Sequence, residues 1–226
     1  MLERILLLCD PVERPFLTEQ LRAGSPAIEI VPAADASALA ALDTTILGNT
    51  RLIAFGAAQA LPATVLNALG HGGYNFHPGP PAYPGWMPSA FAVYDGATEF
   101  GATAHSLSAT TDGGVIVAVD TFPIAAGTTR GELAKRAYLS MLTLFRRLAP
   151  ALATRPTALP TLQVPWGSRR GTRALYADLC DIPLTIEKSE LLRRVNGLGG
   201  GDGFSVPTVW IHGVPFRFVP EGESDV

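Results

Sequence analysis

The run Ile5-Leu6-Leu7-Leu8-Cys9 shows no polar–apolar alternation, so as a strand it presents apolar side chains on both faces and both must be covered. Asp10 and Pro11 end it in a turn, and Phe16, Leu17 and Leu21 then recur at helical spacing over 15–23. A strand covered on both sides and followed directly by a helix is the repeating unit of a parallel α/β sheet. Further apolar runs at 27–31 and 52–55 repeat the strand, with a small helix expected over 37–42. Another helix is expected over 62–69, where Ala63, Val65, Leu66 and Leu69 form its apolar face and Pro62 suits its first turn. Gly70 ends that helix, and the strand Tyr74-Asn75-Phe76 follows.

Beyond a helix expected over 88–94, the stretches 103–107 and 115–119 read as two more strands. The pattern Thr129-x-x-Glu132 then caps the clearest helix of the chain, with Leu133, Ala137, Met141, Leu144, Phe145 and Leu148 on one stripe; Pro150 is expected to stop it. Residues 155–173, rich in Pro, Thr, Gly and Arg, read as loop. A short helix is expected over 186–195, the glycines of 199–203 read as a linker, and 206–211 with 214–219 read as a hairpin turning at His212-Gly213. The expected organisation is an α/β unit with a mostly parallel central sheet over 1–160, and an α+β extension over 161–226.

Charge and composition remove several classes of function. Seventeen basic against 20 acidic residues, with no basic run longer than Arg169-Arg170 or Arg193-Arg194, argue against a nucleic-acid footprint. The apolar stretch 5–9 is too short to span a bilayer and no signal-peptide layout is visible, so no membrane partner and a cytoplasmic location are expected. Cys9 and Cys180 lack the spacing of a metal site or a redox pair, and no metal is expected.

Glycine and proline are abundant (23 and 19 residues) and uneven: nine of them fall within residues 72–88. This stiff stretch follows Asn75-Phe76-His77, whose period-two alternation puts Asn75 and His77 on the same side of their strand. A site outside the carboxyl edge of a parallel sheet is where open α/β folds place ligands. Asp112, just before Gly113-Gly114, can meet His77 if the two strands are neighbours. An amide, an imidazole and a carboxylate so gathered suit acyl transfer. The amide N–H stabilises a developing oxyanion, the imidazolium assists it, and the carboxylate holds the imidazole and accepts a proton from the nucleophile.

The ordered set Asn75-Phe76-His77-Pro78, Tyr83-x-Gly85-x-x-Pro88, Gly101-Ala102-Thr103-Ala104-His105 and Asp112-Gly113-Gly114-Val115-Ile116 resembles the formyltransferases that use 10-formyltetrahydrofolate. The likeness spans about 52–116. It implies a Rossmann-like formyltransferase fold in which Asn75, His77 and Asp112 form the catalytic triad and 10-formyltetrahydrofolate donates the formyl group. It also implies that Gln59, Leu61 and Val65, with Ala109 and Thr111 in a second loop, enclose the pterin. The partner it implies is a small-molecule amine, with an amino-sugar nucleotide as first choice; homodimerisation stays open. His105 is expected to support the triad by hydrogen bonding.

Two departures bear on the acceptor. The family commonly reads His-Pro-Ser-Leu-Leu-Pro, whereas this chain has His77-Pro78-Gly79-Pro80-Pro81-Ala82, and an acidic Cys9-Asp10-Pro11-Val12-Glu13 turn replaces a glycine-rich one after the first strand. Formyltetrahydrofolate hydrolysis and a non-catalytic folate-binding role remain as alternatives. Trp86 can either stack on an acceptor or fold its loop onto the core, Trp166 and Trp210 are expected to pack, and His71 and His212 are expected at the surface.

Overall fold

The computed structural model describes residues 1–56, 61–108, 112–200 and 205–219. Six strands form one sheet in the order β2-β1-β3-β4-β5-β6: β1 (Arg4–Leu8), β2 (Glu29–Ala33), β3 (Thr50–Phe55), β4 (Gly73–His77), β5 (Glu99–Ser106) and β6 (Ile116–Pro123). The first four run parallel, while β5 is antiparallel to both β4 and β6. The continuous apolar runs belong to the interior strands, as two-sided cover requires: β3 is buried along its whole length and β1 from Ile5 onward.

On one face Ile5, Leu7, Ile53, Tyr74 and Phe76 pack under α1 (Arg14–Gly24) and α5 (Arg130–Thr154). On the other, Leu6, Leu8, Leu52 and Ala54 pack under α2 (Ala36–Ala40), a 3₁₀ turn (Thr44–Asn49) and α3 (Ala63–Ala68). The capping box of α5 is formed in both directions: the Glu132 amide donates to Thr129 Oγ1 (3.3 Å) and the Thr129 amide to Glu132 Oε2 (2.9 Å). Pro150 does not stop this helix, which continues to Thr154. Proline removes only its own N–H from the ladder, and here it lies against α1, where a Cβ on Gly24 would come within 2.8 Å of Pro150 Cα.

The extension is more helical than its sequence suggests. Residues 173–180, partly read as loop, form α6 (Arg173–Cys180), capped by Thr172, and α7 spans Lys188–Leu198. Both pack on α4 (Pro88–Asp95) through Ala90, Phe91, Tyr176, Cys180 and Leu198. A three-stranded sheet, β7 (Asp181–Ile182), β8 (Thr208–Ile211) and β9 (Val214–Arg217), completes it; its hairpin turns at His212 and Gly213, both with positive φ.

Residues 156–172 are irregular but pinned. Arg51, fully buried in β3, donates through Nη1 to Leu152 O (2.6 Å), through Nη2 to Arg155 O (2.9 Å) and Thr157 O (3.3 Å), and through Nε to His71 O (3.2 Å). The Leu159 amide donates to Tyr74 Oη (2.7 Å), and the Leu162 amide to Ile116 O (2.8 Å). The segment then crosses the stiff 78–88 loop: the Gly167 amide donates to Pro81 O, Gly171 to Pro84 O, and Trp86 to Gly171 O. Among the described residues no helix is long and apolar enough to cross a membrane.

Candidate active site

Asn75 and His77 project from β4 on the face opposite Phe76, beside His105, which pairs with Asn75 across the antiparallel β4–β5 ladder. Asp112 arrives from the β5–β6 connection with φ of 45°, a left-handed conformation that Asp tolerates better than most residues. All four side chains are at most 4% exposed. The group therefore lies on the sheet face near the carboxyl end of β4.

The Asp112 carboxylate is the hub. Its Oδ2 accepts from the Gly85 amide (2.8 Å) and faces His77 Nδ1 at 3.4 Å. Its Oδ1 accepts from Asn75 Nδ2 (3.3 Å) and faces His105 Nε2 at 3.2 Å. The outer nitrogens of both imidazoles meet backbone carbonyls, His77 Nε2 at Tyr83 O and His105 Nδ1 at Ser106 O, each at 2.9 Å. A carbonyl only accepts, so these outer nitrogens carry the hydrogens and the inner ones address Asp112.

Burial opposes charge on Asp112, but the His105 hydrogen bond, the charges of His77 and His105 and the Gly85 amide outweigh it and bring the carboxyl to about 2. Burial pushes the His77 imidazole below its ordinary value, against the pull of Asp112. A fixed carboxylate beside an imidazole can accept a proton from an attacking nucleophile.

Two glycines shape this arrangement. Gly85 has φ of 94°, and a Cβ there would lie 2.3 Å from Gly171 O; its freedom lets its amide turn to Asp112 while the chain pairs with Gly171. At Gly79 a Cβ would lie 2.6 Å from His77 Nε2 and 2.8 Å from Pro88 Cβ. The His77 ring occupies the space a serine would fill.

A cavity of about 320 Å³ opens here, lined by Asn75, His77 and Asp112 on one side and by Gly85, Trp86, Met87 and Pro88 on the other. A second, of about 530 Å³, shares Gly56, Pro78 and Ala134 with it and extends to Asp10, Glu13 and Tyr138 beyond β1. The acidic turn is thus part of the same groove. Leu61 and Val65 lie elsewhere, in the core with Leu52 and Ala54, and are not among the residues lining either cavity. Gln59, Ala109 and Thr111 fall outside the described residues.

Trp86 does two things at once: it borders the cavity and packs edge-on against Tyr176 of α6, with ring centroids 5.2 Å apart. Trp166 packs, as expected, and does so on the histidines. Its ring stands edge-to-face on His105 (5.1 Å) and His77 (6.0 Å), held by Nε1 donating to Gly114 O (2.8 Å), and Arg170 Nη2 donates to Asp112 O (3.2 Å). His71 is half-buried, its Nδ1 donating to Pro156 O (2.7 Å).

The Formyl transferase family model matches residues 47–140, a span that contains Asn75, His77, His105 and Asp112. Among curated proteins none matches the chain. Among solved structures the chain is similar to a sugar N-formyltransferase from a Shewanella species, at 16% identity and a TM-score of 0.78 with 100% of both chains covered. It is similar to an N-formyltransferase from Helicobacter canadensis in complex with folinic acid and dTDP-3-aminofucose, at 12% identity and a TM-score of 0.64, covering 87% of this chain and 80% of that one. HypX from Aquifex aeolicus in complex with tetrahydrofolic acid is similar at 19% identity and a TM-score of 0.57, over 95% of this chain and 37% of that one. These low identities speak for the fold, and the match to the formyl transferase family model covers the segment that carries the buried polar network.

Proposed function

We propose that the protein transfers a formyl group from 10-formyltetrahydrofolate to the amine of a small-molecule acceptor, an amino-sugar nucleotide being the favoured class. The observation that carries this reading is a buried amide, imidazole and carboxylate beside a cavity inside the family-matched segment. The similar protein whose structure holds folinic acid and an amino-sugar nucleotide supports the choice of donor and acceptor.

The residues fit such a donor. Asn75 Oδ1 is buried without a hydrogen-bond partner in an otherwise satisfied network, and Trp86, Met87 and Pro88 give the cavity an apolar wall. The donor supplies a formyl carbon activated on nitrogen. Asn75 Nδ2 lies 3.2 Å from His105 Nε2 as well as on Asp112, and the N–H released from His105 stabilises negative charge developing on the formyl oxygen. His77 can add a donor only by leaving Tyr83 O, a rearrangement compatible with the tightening of catalytic hydrogen bonds on substrate binding. Asp112 and His77 together take the proton released by the amine. Two buried free thiols, Cys9 and Cys180, suit a reducing compartment and support a cytoplasmic location.

Incubating the protein with 10-formyltetrahydrofolate and dTDP-amino sugars, and following tetrahydrofolate release, tests the reading. Amine-dependent release is expected; formate release without amine would point instead to hydrolysis, and folate binding without turnover would sink both activities. Gly79→Ser, which restores the residue common in the family, is expected to press on the His77 ring, shift it from Asp112 and lower kcat/KM about 10- to 100-fold with folate affinity kept. Unchanged kcat/KM would show that the His77 position seen here is not needed for turnover.

A further inference from the structure

The adjacent residues Arg169 and Arg170 point to different tasks. Arg169 is exposed and pairs with Asp95 at the end of α4. Arg170 is half-buried and turns inward, where its Nη2 donates to the backbone carbonyl of Asp112 (3.2 Å). Its stem crosses Gly85 on the way: a Cβ at Gly85 would lie 2.8 Å from Arg170 Cγ. Gly85 is also the residue whose amide donates to Asp112 Oδ2 (2.8 Å), so Arg170 touches both partners of that hydrogen bond. Gly171, next in sequence, bonds on either side of Gly85, donating to Pro84 O (2.8 Å) and accepting from the Trp86 amide (2.9 Å). Asp112 needs such support. Its φ of 45° is a conformation that a residue with a side chain keeps only where its surroundings fix it, and at 3% exposure its carbonyl cannot turn to water for a donor. Any relaxation of that φ turns Cβ about the N–Cα bond and carries the carboxylate off Gly85 and His77.

We propose that Arg170 is a positioning residue for formyl transfer, holding the Asp112 backbone in its left-handed conformation so that the carboxylate stays on the Gly85 amide and faces His77. The proposal rests on the formyl-transfer reading. In that reaction the amine nitrogen bonds to the formyl carbon, the bond from that carbon to the donor nitrogen breaks, and the proton released by the amine ends on the donor nitrogen. Asp112 takes part in carrying that proton, so a displaced carboxylate slows transfer and leaves the affinity for the donor as it was. Arg170 is not among the residues lining either cavity, so its effect on transfer runs through Asp112. Trp166 Nε1, on Gly114 O (2.8 Å), secures the same chain two residues later.

Two neighbouring amides report on different contacts and allow a test without substrate. The Gly85 N–H lies on Asp112 Oδ2 and the Trp86 N–H on Gly171 O. In Arg170→Ala, hydrogen exchange followed by NMR should be at least about fivefold faster at Gly85, where the carboxylate has withdrawn, and within about twofold of wild type at Trp86. Arg170→Lys, which still brings one N–H toward the carbonyl, should recover part of the Gly85 protection. With 10-formyltetrahydrofolate and dTDP-3-aminofucose, Arg170→Ala should lower kcat about tenfold while folate Kd stays unchanged, and Arg170→Lys should again recover part of the loss.

Gly85 exchange unaltered in Arg170→Ala would overturn the proposal. So would equal acceleration at both amides, the mark of a segment that has merely come loose, or an unchanged kcat in a protein that transfers the formyl group. If Arg170→Ala fails to fold, Arg170→Gln, whose shorter side chain stops short of the Asp112 carbonyl, takes its place with the same expectations. If the wild-type protein does not formylate this amino sugar, that transfer falls, while the exchange measurement still decides whether Arg170 holds Asp112.

Discussion

Asp112→Asn is expected to lower formyl transfer about 100- to 1,000-fold with folate affinity largely kept. The substitution is nearly isosteric, so the loss would come from charge and hydrogen-bond direction. In the native site both carboxylate oxygens only accept: Oδ2 from Gly85 and Oδ1 from Asn75, with an imidazole nitrogen at each. An Asn amide must turn its NH₂ toward either the Gly85 amide or Asn75 Nδ2, placing donor against donor. It also removes the negative charge that would stabilise a proton on His77 as the amine is deprotonated. Asn75→Ala and His77→Ala should each cost at least about 100-fold by the loss of one oxyanion donor. The check is kcat and folate Kd measured on the same preparations. A fall of less than about fivefold in Asp112→Asn would mean that the amine proton leaves by another route.

The second large effect is on stability. Arg51→Leu is expected to destabilise the protein by at least about 3 kcal/mol, because it orphans several buried carbonyls at once. Among the described residues no carboxylate pairs with Arg51. Its planar fork is matched to the carbonyls of Leu152, Arg155, Thr157 and His71, and the Tyr74 ring lies 5.5 Å from its charged carbon. Arg51→Lys keeps the charge but brings its donors to a single point, so it should recover only part of the loss. Urea midpoints with an unchanged m-value provide the measurement. A shift below about 1 kcal/mol for Arg51→Leu would show that water can reach and satisfy these carbonyls.

These two residues also mark what sequence could and could not reveal. The proximity of Asn75, His77 and Asp112 was legible because a strand's alternation and a stiff loop fix local direction, and β5, which leads to Asp112, pairs with β4. The parallel sheet was legible because unbroken apolar runs demand two-sided cover. Arg51 gave no such signal: a charged residue at the start of an apolar run reads as a solvent-facing strand end, and only the carbonyls at the end of α5, about a hundred positions away, explain its burial. Trp166 and Arg170 were hidden likewise, since an irregular segment has no period from which its docking surface could be read. Pro150 shows local propensity overridden by packing, α5 running one further turn where α1 supports it.

The boundary expected near residue 160 has a consequence for anyone exchanging parts between such proteins. Residues 156–172 touch the chemistry more intimately than much of the sheet does: Trp166 walls the histidines, Arg170 holds the Asp112 backbone, and Gly171 is stitched to the loop that presents Gly85. A graft joined at 160 would import a foreign back wall for the candidate site, so a chimera meant to change only the extension must take its junction after Gly171. The strap belongs with the sheet, and even a junction after Gly171 must keep the contact of Tyr176 with Trp86.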